Sequence, residues 1–348
     1  MKVKADILAQ EQELLAVFAE VRRDNQTLRV EGLGHRLQRP AGEPATRSYS
    51  LTGWNDIVAY HPADLVVTVE AGMSVKALNR ILAEHGQWIP LTVADGQDDT
   101  VGGAVSAGLD GIWRGGYGSF RDRVLGLRVL TPGFGAIQVG AAVVKNVAGY
   151  NLSRLFFGSR GTLGIITQVT LKVSPLPQSR RYWAWEGSLS EMSAKANDLM
   201  GWATPWAGIA FIADPSQKGI RLWAAWHGVA ETVDYLAATK EPGSPDLPLM
   251  TRPWKPGAVT LKGAVPRKTV QDVIGVWENG LLAVEWQSGG FLGTLSEEDA
   301  PRMENWIRER SGGVAVLSGL HEDLPVPPAL MPIWKRLKDA YDPQAILG

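Results

Sequence analysis

Four glycine-rich segments in the first half of the chain constrain its fold more than any other feature. They occupy residues 30–35, 100–108, 115–122 and 144–167. Glycine has no Cβ, so it adopts positive φ readily and lets the backbone approach a ligand closely. Several such loops in one half of a chain predict a large ligand that is held mainly by main-chain groups.

The first segment contains Gly32-Leu33-Gly34-His35 and directly follows a short predicted strand. A strand that enters a tight turn of free N–H groups makes a nest for an anion, and a pyrophosphate is the natural occupant. The segment is not a Rossmann fingerprint, because G-x-G-x-x-G requires a third glycine where this sequence has Leu37.

The fourth segment alternates small and polar residues just ahead of a predicted strand, in Lys145-Asn146-Val147-Ala148-Gly149-Tyr150 and again in residues 158–167. Small residues let a planar ring system lie flat against the backbone. Backbone N–H and C=O groups can then pair with the polar edge of a pyrimidine. The segment therefore favours a planar heterocyclic ligand.

Hydrophobic periodicity predicts a mixture of helices and short strands. A helix is expected over 6–22, and another begins after the N-cap Ser74 and ends at Gly86. Residues 152–157 predict one or two helical turns, and 332–347 predict a final helix and tail. Strands are expected at 28–30, 57–60, 65–70, 88–91, 124–130, 136–139 and 165–173. The exit Ser174-Pro175-Leu176-Pro177 is the predicted domain boundary.

Taken in order, the four segments resemble the flavin domain of the vanillyl-alcohol-oxidase, or PCMH-type, superfamily, over about residues 28–173. Within it, the fourth segment is similar to the FAD-binding E subunits of glycolate oxidases. The resemblance implies an α+β fold with a PCMH-type FAD-binding domain of two α+β subdomains at 1–175. A C-terminal α+β cap or substrate domain would follow at 176–335, and the tail 336–348 would return to the FAD domain.

The resemblance also implies a non-covalent FAD and a role for each matching residue. The pyrophosphate loop would be Gly32, Leu33, Gly34 and His35. Thr100, Gly102 and Gly103 would continue the diphosphate and ribose cradle, and the adenosine side would be lined or supported by Gly108, Gly118, Ser119 and Asp122. The isoalloxazine would lie near Asn146, Ala148, Gly149 and Tyr150, and main-chain contacts from Gly164 and Ile165 would close the site.

Two residues of these motifs have alternative roles. Lys145 would lie near the flavin N1 and C2 carbonyl, where its positive charge would stabilise the anionic reduced flavin. The alternative is that Lys145 is a surface lysine. A histidine at the position of His35 is bonded to the flavin 8α carbon in some superfamily members. The alternative is a neutral histidine that hydrogen-bonds phosphate or backbone.

Composition excludes several classes of protein. The chain has no cysteine, which rules out disulfides, cysteinyl metal sites and a cysteine nucleophile. The formal net charge of −1 gives no indication of nucleic-acid binding. No signal peptide or membrane span is expected, so the predicted location is cytoplasmic, peripheral to a membrane only through a complex. No metal site is expected either.

A small 2-hydroxy acid would be recognised in the second half of the chain. It requires a cation that binds its carboxylate and a base that accepts its hydroxyl proton. Two histidines lie there without metal-site spacing, His227 and His321. Trp286-Gln287-Ser288-Gly289-Gly290 resembles a family segment that an arginine follows, but Phe291 follows here. The expected cation is therefore missing or supplied elsewhere, for example by Arg252 or Lys255, and the catalytic residues stay unassigned.

Six tryptophans in this half are expected in a β-rich core or interface: Trp183, Trp185, Trp202, Trp206, Trp223 and Trp226.

The resemblance predicts the FAD-binding subunit of a glycolate-oxidase-like complex, which oxidises a small 2-hydroxy acid or relays its electrons through flavin. Its expected partners are a second flavoprotein subunit and an iron–sulfur subunit. Two alternatives stay open. One is an autonomous FAD-dependent dehydrogenase for D-lactate or a related 2-hydroxy acid, and the other is a non-catalytic flavin-binding assembly subunit.

Overall fold

A computed structural model of the chain describes residues 5–34, 46–91, 98–140, 152–202, 206–214, 219–239, 244–245, 259–310, 312–318 and 330–347. Its first element is helix α1 (Ala5–Arg23), which buries an apolar stripe that includes Ile7, Leu14 and Val21. Strand β1 (Thr27–Glu31) follows and pairs in parallel with β2 (Thr46–Ser50). The predicted helix over 6–22 and strand over 28–30 are confirmed.

A sheet of five strands within the described residues forms the rest of the N-terminal half, in the order β3-β4-β8-β6-β7 with antiparallel neighbours. Its strands are β3 (Ile57–His61), β4 (Val66–Glu70), β6 (Val124–Thr131), β7 (Gly135–Gly140) and β8 (Ile165–Lys172). A small separate pair joins β5 (Gln87–Trp88) to β9 (Ser174–Pro175). The helices of this half after α1 are α2 (Val75–Ala83), α3 (Val101–Ser106), α4 (Arg114–Tyr117), α5 (Phe120–Arg123) and α6 (Ser153–Phe156).

The predicted cap of α2 is present, because the Ser74 hydroxyl accepts from the Ala77 N–H at 3.1 Å. The helix ends earlier than predicted, at Ala83, and Gly86 takes its positive φ of 64° two residues beyond the C-cap. The strand predicted over 88–91 is also shorter. After β5 the Leu91 N–H bonds to the Ile89 carbonyl in a local turn, so it does not join a neighbouring strand.

The C-terminal half is built on an antiparallel sheet of eight strands within the described ranges, in the order β13-β10-β12-β11-β15-β16-β14-β17. Its strands are β10 (Ser179–Gly187), β11 (Trp206–Ala213), β12 (Ile220–Gly228), β13 (Ser244–Pro245), β14 (Val259–Ala264), β15 (Leu282–Glu285), β16 (Gly290–Leu295) and β17 (Gly313–Ser318). Its helices are α7 (Leu189–Gly201), α8 (Ala230–Thr239), α9 (Val270–Val276) and α10 (Asp299–Glu309). The chain changes sheets at the proline-containing exit, between β9 and β10.

Tryptophans fill both faces of this second sheet. Trp226 packs against Trp183 with ring centroids 4.2 Å apart, in a cluster that also contains Val233 of α8. Trp223, on the opposite face, is fully buried and lies 5.6 Å from the ring of Trp113 in the N-terminal half. The predicted placement in a core or interface is confirmed.

The C-terminal segment packs against the N-terminal half. Helix α11 (Met331–Tyr341) ends at Asp342, whose buried carboxylate accepts from the Ile346 and Leu347 N–H groups at 2.9 Å each. This turn directs the Ile346 carbonyl to the Leu28 N–H, 2.7 Å away in β1. Ile346 and Leu347 are thereby buried in the same core as α1.

Candidate functional site

The first two glycine-rich segments meet at Thr100, the N-cap of α3. Its hydroxyl accepts from the Gly103 N–H at 3.0 Å. A Cβ on Gly32 would lie 2.3 Å from the Thr100 Oγ1, and one on Gly103 would lie 2.8 Å from it. These distances are shorter than real Cβ contacts, so the close approach of the first loop to Thr100 requires glycine at position 32, and the capping turn of α3 requires it at position 103.

The N–H groups of the two loops differ in what they can bind. At the start of α3 the Val101, Gly102 and Gly103 N–H groups donate to Met73 O, Ala71 O and the Thr100 hydroxyl. Leu33 and Gly34 are exposed, and their N–H groups donate to no backbone carbonyl among the described residues. The N–H groups that are available to bind an anion are therefore those of the first loop. Thr100, Gly102 and Gly103 support this loop by packing behind it.

The other end of α3 joins the fourth segment and the second sheet. Gly158 and Arg160 donate their N–H groups to Val105 O and Ser106 O at 2.9 Å each. Lys262 of β14 donates to Ala107 O at 2.9 Å and also to Gly108 O. Gly108 has a positive φ of 62°, and a Cβ there would lie 2.9 Å from both Gly158 and the Lys262 ammonium. Sequence reasoning missed Lys262, which stands in no local motif.

The third segment is organised by Asp110. Its carboxylate accepts from the Ser119 hydroxyl at 2.9 Å, the Arg114 guanidinium at 2.8 Å and the Phe120 N–H at 3.2 Å. Ser119 is buried as a result, next to the positive-φ Gly118. Asp122 lies apart from this cluster, paired on the surface with Arg154 at 3.2 Å. The structure therefore brings Ser119 inward but not Asp122.

The end of the fourth segment is packed into the five-stranded sheet. A Cβ on Gly164 would lie 2.6 Å from the Val129 side chain, and Ile165 is buried in β8. The remaining candidates lie outside the described residues: His35, Lys145, Asn146, Ala148, Gly149, Tyr150, Arg252, Lys255 and His321.

Several buried polar atoms in and just after the fourth segment have no hydrogen-bond partner within the described ranges. They are the Ser159 hydroxyl, both side-chain amide atoms of Gln168 and the Arg160 Nη2. Ser159 is 6 % exposed and Gln168 is 1 % exposed. Buried polar groups are nearly always hydrogen-bonded in native proteins. These unsatisfied atoms are therefore evidence for a polar ligand along this segment.

The segment Trp286-Gln287-Ser288-Gly289-Gly290 forms the turn between β15 and β16. The Glu285 carboxylate, 1 % exposed, accepts from the Ser288 N–H at 2.6 Å and from the Gln287 N–H at 3.1 Å. Burial raises the pKa of Glu285, and these hydrogen bonds oppose that shift. The turn therefore begins with a buried carboxylate, whereas the family resemblance implied an arginine after Gly290.

The two halves of the chain meet where α4 lies directly on β11. A Cβ on Gly116 would lie 2.4 Å from Trp206 O, and one on Gly208 would lie 2.3 Å from Ile112 O. This close approach sets Tyr117 against His227, with its hydroxyl 2.9 Å from the imidazole Nδ1. We call Trp88, Trp113, Tyr117, Arg180, Tyr182, Trp223 and His227 the junction cluster.

His227 is 6 % exposed within this cluster, and its Nε2 has no hydrogen-bond partner. Burial, reinforced by the nearby Arg180 guanidinium, lowers the pKa of His227 to about 3. Burial also raises the pKa of Tyr117 to about 12. Both side chains are therefore neutral at physiological pH, and their contact is a neutral hydrogen bond.

This pKa predicts a specific acid sensitivity. In the unfolded chain the imidazole of His227 titrates near pH 6.5. Between that pH and about 3, the unfolded state therefore binds a proton on His227 that the folded state does not bind, and the free energy of unfolding falls as pH falls. Between pH 7.5 and 5.5 the free energy of unfolding should lose about 1.3 kcal/mol through this one group. Urea unfolding of the wild type and of His227→Gln at both pH values measures it. If the free energy of unfolding depended on pH equally in the wild type and in His227→Gln, the lowered pKa of His227 would be contradicted.

Comparison with known proteins agrees with this arrangement. Residues 6–140 match a family model described as FAD binding domain. The glycolate oxidase subunit GlcE of Escherichia coli is 28% identical over 318 residues, which cover 88% of this chain and 87% of that protein. A mitochondrial cytochrome-type D-lactate dehydrogenase of Arabidopsis thaliana is 37% identical over 122 residues, 35% of this chain and 21% of that protein.

A solved structure of alkyldihydroxyacetonephosphate synthase superposes with a TM-score of 0.68 at 15% identity, and the match covers 97% of this chain and 75% of that chain. At that identity the likeness concerns the fold alone. The first half of the chain, over residues 6–140, matches an FAD binding domain, and the predicted α+β fold and FAD cofactor are confirmed. Among its relatives it is similar along most of its length to GlcE, a glycolate oxidase subunit.

The described residues fit an FAD. The exposed N–H groups of Leu33 and Gly34 suit a diphosphate, and the glycines around Thr100 leave no room for a side chain between the loops. The unsatisfied Ser159 and Gln168 atoms suit the polar groups of a large cofactor. No group of three or more His, Asp or Glu side chains in the described part of the chain is arranged to hold a metal ion.

Proposed function

We propose that this chain is the FAD-binding subunit of a glycolate-oxidase-like complex, acting on a small 2-hydroxy acid or relaying its electrons. The observation that carries the proposal is the similarity to GlcE, which covers nearly nine-tenths of both proteins. A shared FAD-binding domain alone would not favour this subunit over other flavoproteins. The similarity also spans the second sheet, where substrate or partner recognition would reside.

Within this proposal the chain holds the cofactor mainly by main chain. Leu33 and Gly34 would hold the diphosphate through their N–H groups, while Thr100, Gly102 and Gly103 fix the loop that carries them. Lys262 ties the second sheet to the end of α3. Bound FAD supplies a two-electron acceptor for the C–H bond of the acid. The full set of proposed cofactor contacts is that implied by the sequence resemblance, including the residues outside the described ranges.

The domain limits are part of the same proposal. An FAD domain at 1–175 and a cap at 176–335 agree with the change of sheets between β9 and β10. A tail at 336–348 agrees with the burial of Ile346 and Leu347 in the N-terminal core.

The proposed partners are a second flavoprotein subunit and an iron–sulfur subunit. The name of the GlcE relative describes a subunit, which supports assembly into a complex. This chain has no cysteine, so it offers no thiolate ligands to a cluster and another chain would hold one.

No helix in the described ranges is long and apolar enough to cross a membrane. A peripheral membrane location would then come from the partners.

A second candidate function is an autonomous dehydrogenase for D-lactate or a related acid. It is favoured by the 37% identity to a D-lactate dehydrogenase, although that match covers 35% of this chain. The two candidates differ in whether the isolated chain turns over.

The test is anaerobic reduction of the bound flavin by glycolate and by D-lactate, for the isolated chain and for the chain assembled with its partner subunits. Reduction that requires the partners supports the subunit. Bleaching of the isolated chain supports the autonomous enzyme. A flavin that neither acid reduces in either preparation would overturn both.

A further inference from the structure

The junction cluster contains a cation, Arg180, that has no acidic partner among the described residues. Arg180 of β10 is half-buried, and its guanidinium carbon lies 4.8 Å from the centre of the Trp88 ring. No carboxylate of the described residues lies within ion-pair distance of it. The adjacent Arg181 points to the surface and pairs with Asp234 at 2.8 Å. A partly desolvated charge is costly unless it is compensated, so Arg180 is suited to an anionic ligand.

The second observation is the free side of the His227 ring. Arg180 and His227 are directly opposite each other in the register of β10 and β12. The Tyr117 hydroxyl lies 2.9 Å from Nδ1, while the buried Nε2 has no partner. When Tyr117 donates to Nδ1, the neutral ring carries its proton on Nε2 and becomes a donor. A buried donor without an acceptor, next to an arginine that has no carboxylate partner among the described residues, again matches an anionic oxygen.

The third observation is the surrounding charge. Arg123 also approaches Tyr117, since its Nη2 donates to the Tyr117 carbonyl at 2.6 Å. Tyr182 adds a second hydroxyl next to Arg180, and burial raises its pKa so that it stays protonated. Together with the adjacent Arg123, the junction cluster therefore presents two guanidinium groups, two phenols and one imidazole. No acidic side chain of the described residues is hydrogen-bonded to any of these five groups.

The position of the cluster matches a ligand site as well. Trp88, Trp113 and Tyr117 come from the N-terminal half, whereas Arg180, Tyr182 and His227 come from the second sheet. Ligand sites in multi-domain proteins are preferentially found at such domain junctions. The flat guanidinium also has the geometry that grips a carboxylate with two N–H groups.

We propose that Arg180, assisted by His227 and Tyr117, binds the carboxylate group of the 2-hydroxy acid. This inference rests on the proposed function. It supplies the cation that the sequence lacks after Gly289-Gly290. In this site Arg180 grips the carboxylate and His227 donates from Nε2 to one of its oxygens. Tyr117 acts as a positioning residue, because it fixes which nitrogen of His227 carries the proton.

The test measures binding of oxalate, a redox-inert dicarboxylate, to the FAD-loaded chain by calorimetry. Arg180→Gln should weaken oxalate binding at least tenfold. Its matched control Arg181→Gln removes a neighbouring arginine of the same strand and should stay within twofold of the wild type. Tyr117→Phe should weaken binding severalfold while it keeps the ring packing. The flavin absorbance per chain, measured on each variant, shows that the cofactor site is intact.

If Arg180→Gln does not retain flavin, Arg180→Lys serves instead. It keeps the positive charge over Trp88 but loses the two-point grip, so oxalate should bind more weakly than to the wild type. Equal oxalate affinity in the wild type and the retained Arg180 variant would overturn the inference. The proposed function would still stand if glycolate or D-lactate bleached the flavin. Absence of both oxalate binding and bleaching in wild-type preparations would overturn the two together.

Discussion

Replacing Gly32 with alanine is expected to weaken FAD binding by about 10- to 100-fold, the equivalent of an overpacking cost of about 1–3 kcal/mol. The new Cβ would lie 2.3 Å from the Thr100 hydroxyl and 2.8 Å from its methyl group. Thr100 is held in place as the N-cap of α3, so the first loop has to move away. That movement displaces the Leu33 and Gly34 N–H groups proposed to bind the diphosphate. Titration of the apoprotein with FAD, followed by flavin fluorescence, measures the effect.

Two further variants show whether the clash with Thr100 is the cause. Gly53→Ala is the matched control, because a Cβ there meets nothing within 4 Å, and it should bind FAD like the wild type. Thr100→Ala in the Gly32→Ala background removes both clashing atoms and should recover part of the affinity. The recovery is incomplete because the cap to the Gly103 N–H is lost. Wild-type affinity in Gly32→Ala would contradict this account of the loop.

Replacing Glu11 with glutamine is expected to lower the free energy of unfolding by about 3–5 kcal/mol, the cost of breaking a buried ion pair. The Glu11 carboxylate binds Arg128 through two hydrogen bonds of 2.7 and 2.6 Å and accepts from the Thr167 hydroxyl at 2.9 Å. Its side chain is 4 % exposed and that of Arg128 is 13 % exposed. The variant leaves the Arg128 charge buried without a counter-charge. Urea unfolding at neutral pH measures the loss.

The same helix offers a matched control. Glu20 of α1 pairs with Arg47, but both side chains are more than 40 % exposed, so Glu20→Gln should cost at most about 1 kcal/mol. The double variant Glu11→Leu with Arg128→Met should recover much of the stability, because a buried pair replaced by apolar groups is often neutral. A loss below about 1 kcal/mol in Glu11→Gln would contradict the buried-pair account.

The Glu11–Arg128 pair is also connected by hydrogen bonds to the loops that are proposed to hold the cofactor. Thr167, which it holds, accepts the Ala71 N–H at its carbonyl, and Ala71 in turn accepts the Gly102 N–H. Breaking the Glu11–Arg128 ion pair should therefore also displace the loops around Thr100.

Local patterns predicted much of the N-terminal half. The apolar spacing from Ile7 to Val21 gave α1, and the Ser74 cap gave the start of α2. The ordered glycine segments carried the family resemblance that implied the FAD-binding fold, and glycine suits these places because it allows positive φ and close backbone approach. Gly34, Gly108 and Gly118 have positive φ. A Cβ on Gly32 or on Gly103 would clash with the Thr100 side chain.

The contacts that join distant parts of the chain were beyond prediction. Lys262 reaches Ala107 from a strand in the other half, and nothing in its sequence neighbourhood marks it. His227 looked like a lone histidine, because its partner Tyr117 lies in a glycine-rich segment far earlier in the chain. Asp122 and Ser119 are close in sequence, but Asp110 holds Ser119 inward while Asp122 pairs at the surface. Such pairings depend on how the two sheets pack, which local periodicity does not determine.

The visible absorption spectrum of the purified chain tests the central claim most directly. The account predicts a flavin spectrum with one FAD per chain, either as purified or after addition of FAD, and most of it lost in Gly32→Ala. A chain that shows no flavin absorbance and takes up no added FAD would contradict it.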